Sequence, residues 1–245
     1  MFILRFAFRR GDQHESEIFI RLESFLSPTT IYRCDLAESL DAPLTLFKRI
    51  EFQGVDLSAF TTEQIFVDSD GLDPSHPVKV PMFLVHRKDV PKNGQNPTHI
   101  YSYGGFSIAM KPFFSIAALL WVYHFDGVFA VANIRGGAEY GEVWHKDGYK
   151  AKKRNTFLDL CACAEWLVSN KYAQAGKISL AGGSNGGLTV AACTNMRPDL
   201  FGCAVVQVGV LDLYRYHKFT IGMWEDLSKG KDNRGDSIRR TLLVW

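Results

Sequence analysis

The sequence predicts an α/β fold with a mostly parallel sheet, preceded by a strand-rich segment, and three observations carry that reading. Apolar runs at 98–103, 127–134, 177–181 and 203–208 have the length of buried parallel strands, with helix-like stretches between them. Before about residue 70 the text consists of short alternating segments separated by turns. At the third apolar run a serine stands in a glycine-rich junction that leads directly into a stretch rich in small residues.

The strand-rich part comes first. Glu17-Ile18-Phe19-Ile20-Arg21-Leu22 alternates, Thr29-Thr30-Ile31-Tyr32-Arg33 follows a Ser-Pro turn, and Leu44-Thr45-Leu46-Phe47 and Gln64-Ile65-Phe66-Val67 continue the pattern. Short strands at this spacing suit a propeller blade or an antiparallel meander. Asp68-Ser69-Asp70-Gly71-Leu72-Asp73-Pro74 is a strong turn, and the alternating Val78-Lys79-Val80-Pro81-Met82-Phe83-Leu84-Val85 begins a different rhythm. Residues 113–123 and 156–169 have the length and apolar spacing of helices that cover a sheet, and 185–195 forms the helix after the third run.

Composition narrows the classes. With 47% hydrophobic and 22% charged residues the chain is an ordinary globular one. A net charge of +2, with both signs interspersed, gives no concentrated field for a phosphate backbone or an anionic membrane, so neither nucleic acid nor membrane is an expected partner. The five cysteines, Cys34, Cys161, Cys163, Cys193 and Cys203, are odd in number and contain no C-x-x-C, which predicts neither a disulfide framework nor a zinc site and suits a reducing cytoplasm. The opening Met1-Phe2-Ile3-Leu4-Arg5-Phe6-Ala7-Phe8 is interrupted by Arg5 and resembles neither a signal peptide nor an anchor.

Gly182-Gly183-Ser184-Asn185-Gly186 satisfies G-x-S-x-G, the tight strand-to-helix turn that exposes a serine hydroxyl above a sheet. Glycine on both sides is the least costly solution where backbone atoms are pressed together. A chance match somewhere in a chain of this size has odds of roughly 10%, and the flanking strand and helix lower them severalfold. No Gly-Lys-Ser/Thr follows and the glycine spacing is not G-x-G-x-x-G, so a phosphate loop is excluded and neither cofactor nor metal is expected. Ser184 is the candidate nucleophile.

Two further glycine-rich segments end predicted strands. Tyr101-Ser102-Tyr103-Gly104-Gly105-Phe106 lies where a serine hydrolase of this fold needs an oxyanion hole. Asn185 N–H would be one donor, and the Tyr103 hydroxyl or a neighbouring backbone N–H the other; the plainer alternative makes Tyr103 a core aromatic and Gly104-Gly105 a simple turn. In Asn133-Ile134-Arg135-Gly136-Gly137-Ala138-Glu139-Tyr140-Gly141, Arg135 and Glu139 form either a structural ion pair beneath the site, the favoured reading, or a contact to substrate.

Together Tyr103-Gly104-Gly105-Phe106, Ala132-Asn133-Ile134-Arg135-Gly136-Gly137, the elbow through Leu188 and Arg197-Pro198-Asp199-Leu200-Phe201-Gly202 resemble the prolyl oligopeptidase (prolyl endopeptidase) family. The resemblance runs from about Glu17 to Gly222, taking in Phe25-Leu26-Ser27-Pro28 and Val208-Gly209-Val210. It implies an incomplete α/β-hydrolase domain preceded by a β-propeller remnant, with residues 1–70 as remnant and connection, 71–222 as partial catalytic domain and 223–245 as a divergent tail. It implies cleavage of short peptides after proline by a monomeric enzyme when complete. It makes Ser184 the nucleophile, Tyr103 and Asn185 the oxyanion partners, and Phe106, Asn185, Val210 and, near a family tryptophan position, Trp224 the lining of a proline pocket. A flat apolar pyrrolidine ring suits aromatic and aliphatic walls.

The chain departs from that pattern after the elbow, where the fold's order calls for an acid and then a histidine. The family's segments for both are absent from the text, so the triad Asp and His are expected to be missing. His217 matches a noncatalytic family position, Asp199 and Asp212 read as capping or surface-paired residues, and His145 precedes the elbow. Arg234-Gly235-Asp236 in the tail reads as coincidence rather than as an adhesion tripeptide. Three functions follow from these residues: a serine endopeptidase of prolyl oligopeptidase type, a catalytically inactive and aggregation-prone product of the same gene, or an esterase of the same fold.

Overall fold

Antiparallel pairing dominates the first part of the chain in the structure, a computed structural model that describes residues 5–8, 16–37, 43–51, 54–212 and 214–215. The described residues form two compact units. One takes those up to Glu63 with Leu84–Val90 and Lys111–Phe129; the other takes Gln64–Phe83, Pro91–Met110 and those from Ala130 onward.

Strands β1 (Arg5–Phe8), β2 (Glu17–Glu23), β3 (Thr30–Asp35) and β4 (Thr45–Arg49) form a sheet in simple sequence order, the meander that the alternating segments predict. Their β-branched and aromatic residues suit a pleated surface. Register pairs Ile18 with Cys34 and Ile20 with Tyr32, and Arg33 forms an ion pair with Glu17. In the same unit Phe25 meets Phe113 and Phe129 edge to face at 5.7 and 6.4 Å, a geometry that rings favour over stacking face to face. All five residues of β4 are exposed.

The second sheet has six strands: β5 (Phe60–Ser69), β6 (Val78–Arg87), β7 (Thr98–Ser102), β8 (Val128–Ala132), β9 (Ile178–Gly183) and β10 (Phe201–Gln207), in the order β10-β9-β7-β8-β6-β5. β10 and β7 both run parallel to β9, which requires crossover connections. α3 (Arg154–Ser169) and α4 (Asn185–Met196) supply them. α1 (Ile116–His124) and the short α2 (Gly141–Lys146) are the other α-helices among the described residues.

Local chemistry sets the helix bounds. Ser115 caps α1, its hydroxyl accepting from Ala118 N–H at 3.3 Å. α3 buries Phe157, Leu160, Cys161, Ala164 and Leu167, the spacing of one helical face. It ends near Lys171 in the left-handed region at φ 60°, and α4 stops before Arg197, the residue preceding Pro198. Val80, Met82, Ile100, Ala130, Ile178 and Leu180 are fully buried in the second unit.

Three expectations change. The segment 64–67 is part of a longer strand that joins the six-stranded sheet, so the Asp-Gly turn links two neighbouring strands of one sheet and the sheet begins ahead of residue 70. β6 alternates in sequence yet is buried along seven consecutive residues, because it lies between two other strands and is covered on both faces. β10 is parallel as expected but not buried: residues 202–205 are exposed, since it stands last in the strand order with β9 as its one neighbour among the described strands. None of the five cysteines is in a disulfide, and no helix among the described residues is long and apolar enough to cross a membrane.

Candidate active site

Because β7, β9 and β10 are parallel, their carboxyl ends share one edge of the sheet, where open α/β sheets bind ligands. Tyr103 to Phe106 follow β7, Ser184 follows β9 and Val208 to Val210 follow β10. Ser184 is exposed and sits at φ 55°, ψ −117°, a conformation that costs a non-glycine residue on the order of 1–3 kcal/mol. Its N–H donates to Gln207 O at 2.9 Å and its carbonyl accepts from Leu188 N–H at 3.2 Å. The turn tolerates this only through its glycines. A Cβ on Gly182 would lie 2.6 Å from the backbone of Gly186, and one on Gly186 would lie 2.7 Å from Ser102 O.

Tyr103 packs against the start of α4, its Cδ2 3.5 Å from where a Gly186 Cβ would stand. The Asn185 side chain, 7% exposed, donates from Nδ2 to Tyr103 O at 2.7 Å. Its Oδ1 accepts from Lys153 Nζ at 2.9 Å, and Lys153 also donates to Gly104 O at 2.8 Å. Ser184, Asn185 and Tyr103 are therefore brought together. The Asn185 amide is committed to protein partners, so the group this residue offers a ligand is its backbone N–H at the head of α4, where N–H groups lack intrahelical acceptors.

Phe106 stands 52% exposed on a strap that holds φ at 52° for Phe106 and 54° for Ser107. The strap is pinned at several points. Ser107 N–H reaches Gly136 O at 3.2 Å and His145 Nδ1 at 3.1 Å, and His145 Nδ1 lies 2.8 Å from Gly136 O. Met110 N–H donates to Glu139 Oε1 at 2.8 Å, and Asn133 Nδ2 donates to the same oxygen at 3.0 Å. Val210, half-buried, adjoins Gly209, whose Cα would stand 2.7 Å from a Cβ on Gly187.

The expected pairing of Arg135 with Glu139 is corrected. Arg135 donates from Nε and Nη2 to the two oxygens of Asp159 at 2.9 and 2.6 Å, and Ser69 Oγ donates to Asp159 at 2.6 Å. The side chains are 6% and 0% exposed. Asp159 is the better partner because it projects from α3 with two oxygens set for the planar guanidinium fork, while Glu139 is taken up by the strap. The role stays structural, as favoured; the partner differs.

Among the alternatives for acid and base, Asp199 is held by Arg197 at 2.7 Å, which keeps its carboxyl below the usual range, and Asp212 is likewise held by Arg215. His145 is engaged by the strap and stacks on Tyr149 at 5.3 Å. His217, Trp224 and the tail from 223 lie outside the described residues. No group of three or more His, Cys, Asp or Glu among the described residues is arranged to hold a metal ion. Sequence reasoning missed Lys153 and Asp159. Lys153 is hidden in the charged run Lys150-Ala151-Lys152-Lys153-Arg154, whereas Asp159 inside an apolar helix face is a readable signal, since aspartate is rarely buried unpaired.

An exposed serine on a strained turn, between a parallel strand and a helix at the carboxyl edge of a sheet, defines the class of α/β hydrolases. The chain belongs to the prolyl oligopeptidase family, whose profile matches residues 112–239. It is 43% identical over 213 residues to a prolyl oligopeptidase of Omphalotus olearius, covering 86% of this chain and 28% of that protein. A structure from a study of two prolyl endopeptidases superposes with a TM-score of 0.86 at 36% identity, covering 96% of this chain and 33% of the other. Prolyl oligopeptidase B from Galerina marginata, bound to a 25mer macrocyclization substrate, superposes at 0.83 with 36% identity, covering 91% and 30%. The chain thus spans under a third of the length of the curated relative quoted.

Proposed function

We propose that this chain carries the nucleophile of a serine endopeptidase of prolyl oligopeptidase type that cleaves short peptides on the carboxyl side of proline. The observation that carries the reading is Ser184, exposed at φ 55° on the β9–α4 junction. As a general base takes the Ser184 hydroxyl proton, Oγ attacks the carbonyl carbon of the proline residue and the carbonyl electrons move onto oxygen. Asn185 N–H and the Tyr103 hydroxyl receive that oxyanion. Collapse breaks the C–N bond, the departing amine takes up the proton held by the base, and the acyl-enzyme left behind is hydrolysed by water. Phe106 and Val210 offer apolar walls to the pyrrolidine ring. A peptide substrate is supported by the Galerina marginata relative, whose structure holds a peptide. A reducing, cytoplasmic setting is supported by an odd number of cysteines with no C-x-x-C spacing.

A second reading, binding without hydrolysis, is favoured by one set of contacts. Asp199 and Asp212 are each paired with an arginine, and His145 is held by the strap, so none of these supplies the base that an unactivated serine needs. Turnover of a fluorogenic proline-containing peptide separates the readings. The peptidase reading expects release of the fluorophore by the chain and its loss in Ser184→Ala. Peptide binding by anisotropy without release supports the second reading, and ester turnover without peptide turnover supports an esterase.

A further inference from the structure

The geometry points to Lys153 as a positioning residue for the oxyanion-binding turn, acting through Asn185 and the Gly104 carbonyl. This rests on the reading of Ser184 as nucleophile and adds a group which that reading does not contain. Lys153 immediately precedes α3, Asn185 opens α4, and the turn follows β7, so a single ammonium joins three elements. Two consecutive carbonyls of the turn are held: Gly104 O by Lys153 Nζ at 2.8 Å, and Tyr103 O by Asn185 Nδ2 at 2.7 Å. Asn185 is itself fixed by Lys153 at 2.9 Å. The ammonium also lies over the Phe157 ring, 5.8 Å from its centroid.

The turn has no slack to compensate. Gly104 is at φ +64°, and a Cβ there would stand 2.5 Å from Thr156 Cγ2; one on Gly105 would stand 2.5 Å from Asn185 Nδ2. A lysine serves here because an ammonium satisfies several oxygens from one point and makes stronger hydrogen bonds than a neutral donor. Without it the Asn185 amide is free to turn, and Tyr103 loses the contact that sets it against the residue whose N–H is the other oxyanion donor. Misplacement by about 1 Å at such a site costs roughly 100-fold in rate.

The test uses the full 245-residue chain with Lys153→Met, which removes the donor at similar length, and Lys153→Arg, which restores a charge. Hydrogen exchange is read at residues 103–107 and 185–188 alongside kcat and KM for a p-nitrophenyl ester. Lys153→Met is expected to speed exchange in those two segments about tenfold, leave β8 protected, and lower kcat by roughly 10- to 100-fold with KM within about twofold; Lys153→Arg recovers part of kcat. Unchanged exchange in both segments overturns the inference, as does faster exchange spread evenly over the second unit, which marks a merely structural lysine. Where the wild-type chain gives no turnover, exchange alone decides. Turnover that persists in Ser184→Ala sinks the nucleophile reading and leaves the exchange result standing.

Discussion

Ser184 holds a backbone conformation that favours glycine, and the energy stored there is recoverable. Ser184→Gly is expected to raise stability by about 1 kcal/mol in urea denaturation while removing the hydroxyl; a loss of stability would show that the turn is not strained. His99, on β7 and 3.1 Å from Ser179 Oγ on β9, titrates below its usual value of 6.5 because burial disfavours its charged form. Its folded state binds fewer protons than the unfolded chain, so its contribution is complete above about 6.5 and is lost as pH falls toward its lowered value. Stability is therefore expected to drop between neutral pH and mildly acidic pH, and His99→Gln to flatten that slope. At this scale the sharp turn at Ser184 was legible, because its glycine spacing is a direct steric requirement. Sequence was blind to Lys153, because nothing in a run of basic residues marks which one turns inward.

The elbow is a close approach of α4 to β7, and Gly182→Ala places a Cβ 2.6 Å from backbone atoms of Gly186 that cannot move aside; a loss of about 3 kcal/mol is expected by chemical denaturation. The pair of Arg135 and Asp159 ties the loop after β8 to α3 and, through Ser69, to β5. Asp159→Asn leaves a buried guanidinium without its charge partner and is expected to cost about 3 kcal/mol, whereas the double variant Arg135→Met with Asp159→Leu loses less. The strand and helix rhythm was legible because apolar periodicity directly reflects burial. Strand neighbours were not: residues 64–67 alternate as a meander strand would, and β6 alternates while buried on both faces, since pairing is settled by tertiary contacts that local text does not encode.

For the molecule as a whole, β10 stands last in the six-stranded order among the described strands, with Val205 on it 40% exposed and Val208, just past its end, 87% exposed. Unpaired strand edges with apolar side chains template association. Self-association that grows with concentration is expected by light scattering, and Val205→Lys is expected to reduce it; a monomer at all concentrations would contradict this. Ser184 is proposed here as the nucleophile of a proline-directed site. Its most direct test is to incubate the chain with a proline-containing fluorophosphonate and locate the adduct by peptide mass mapping. One adduct is expected, on Ser184 and absent from Ser184→Ala; no adduct, or one that persists in the variant, would contradict that role.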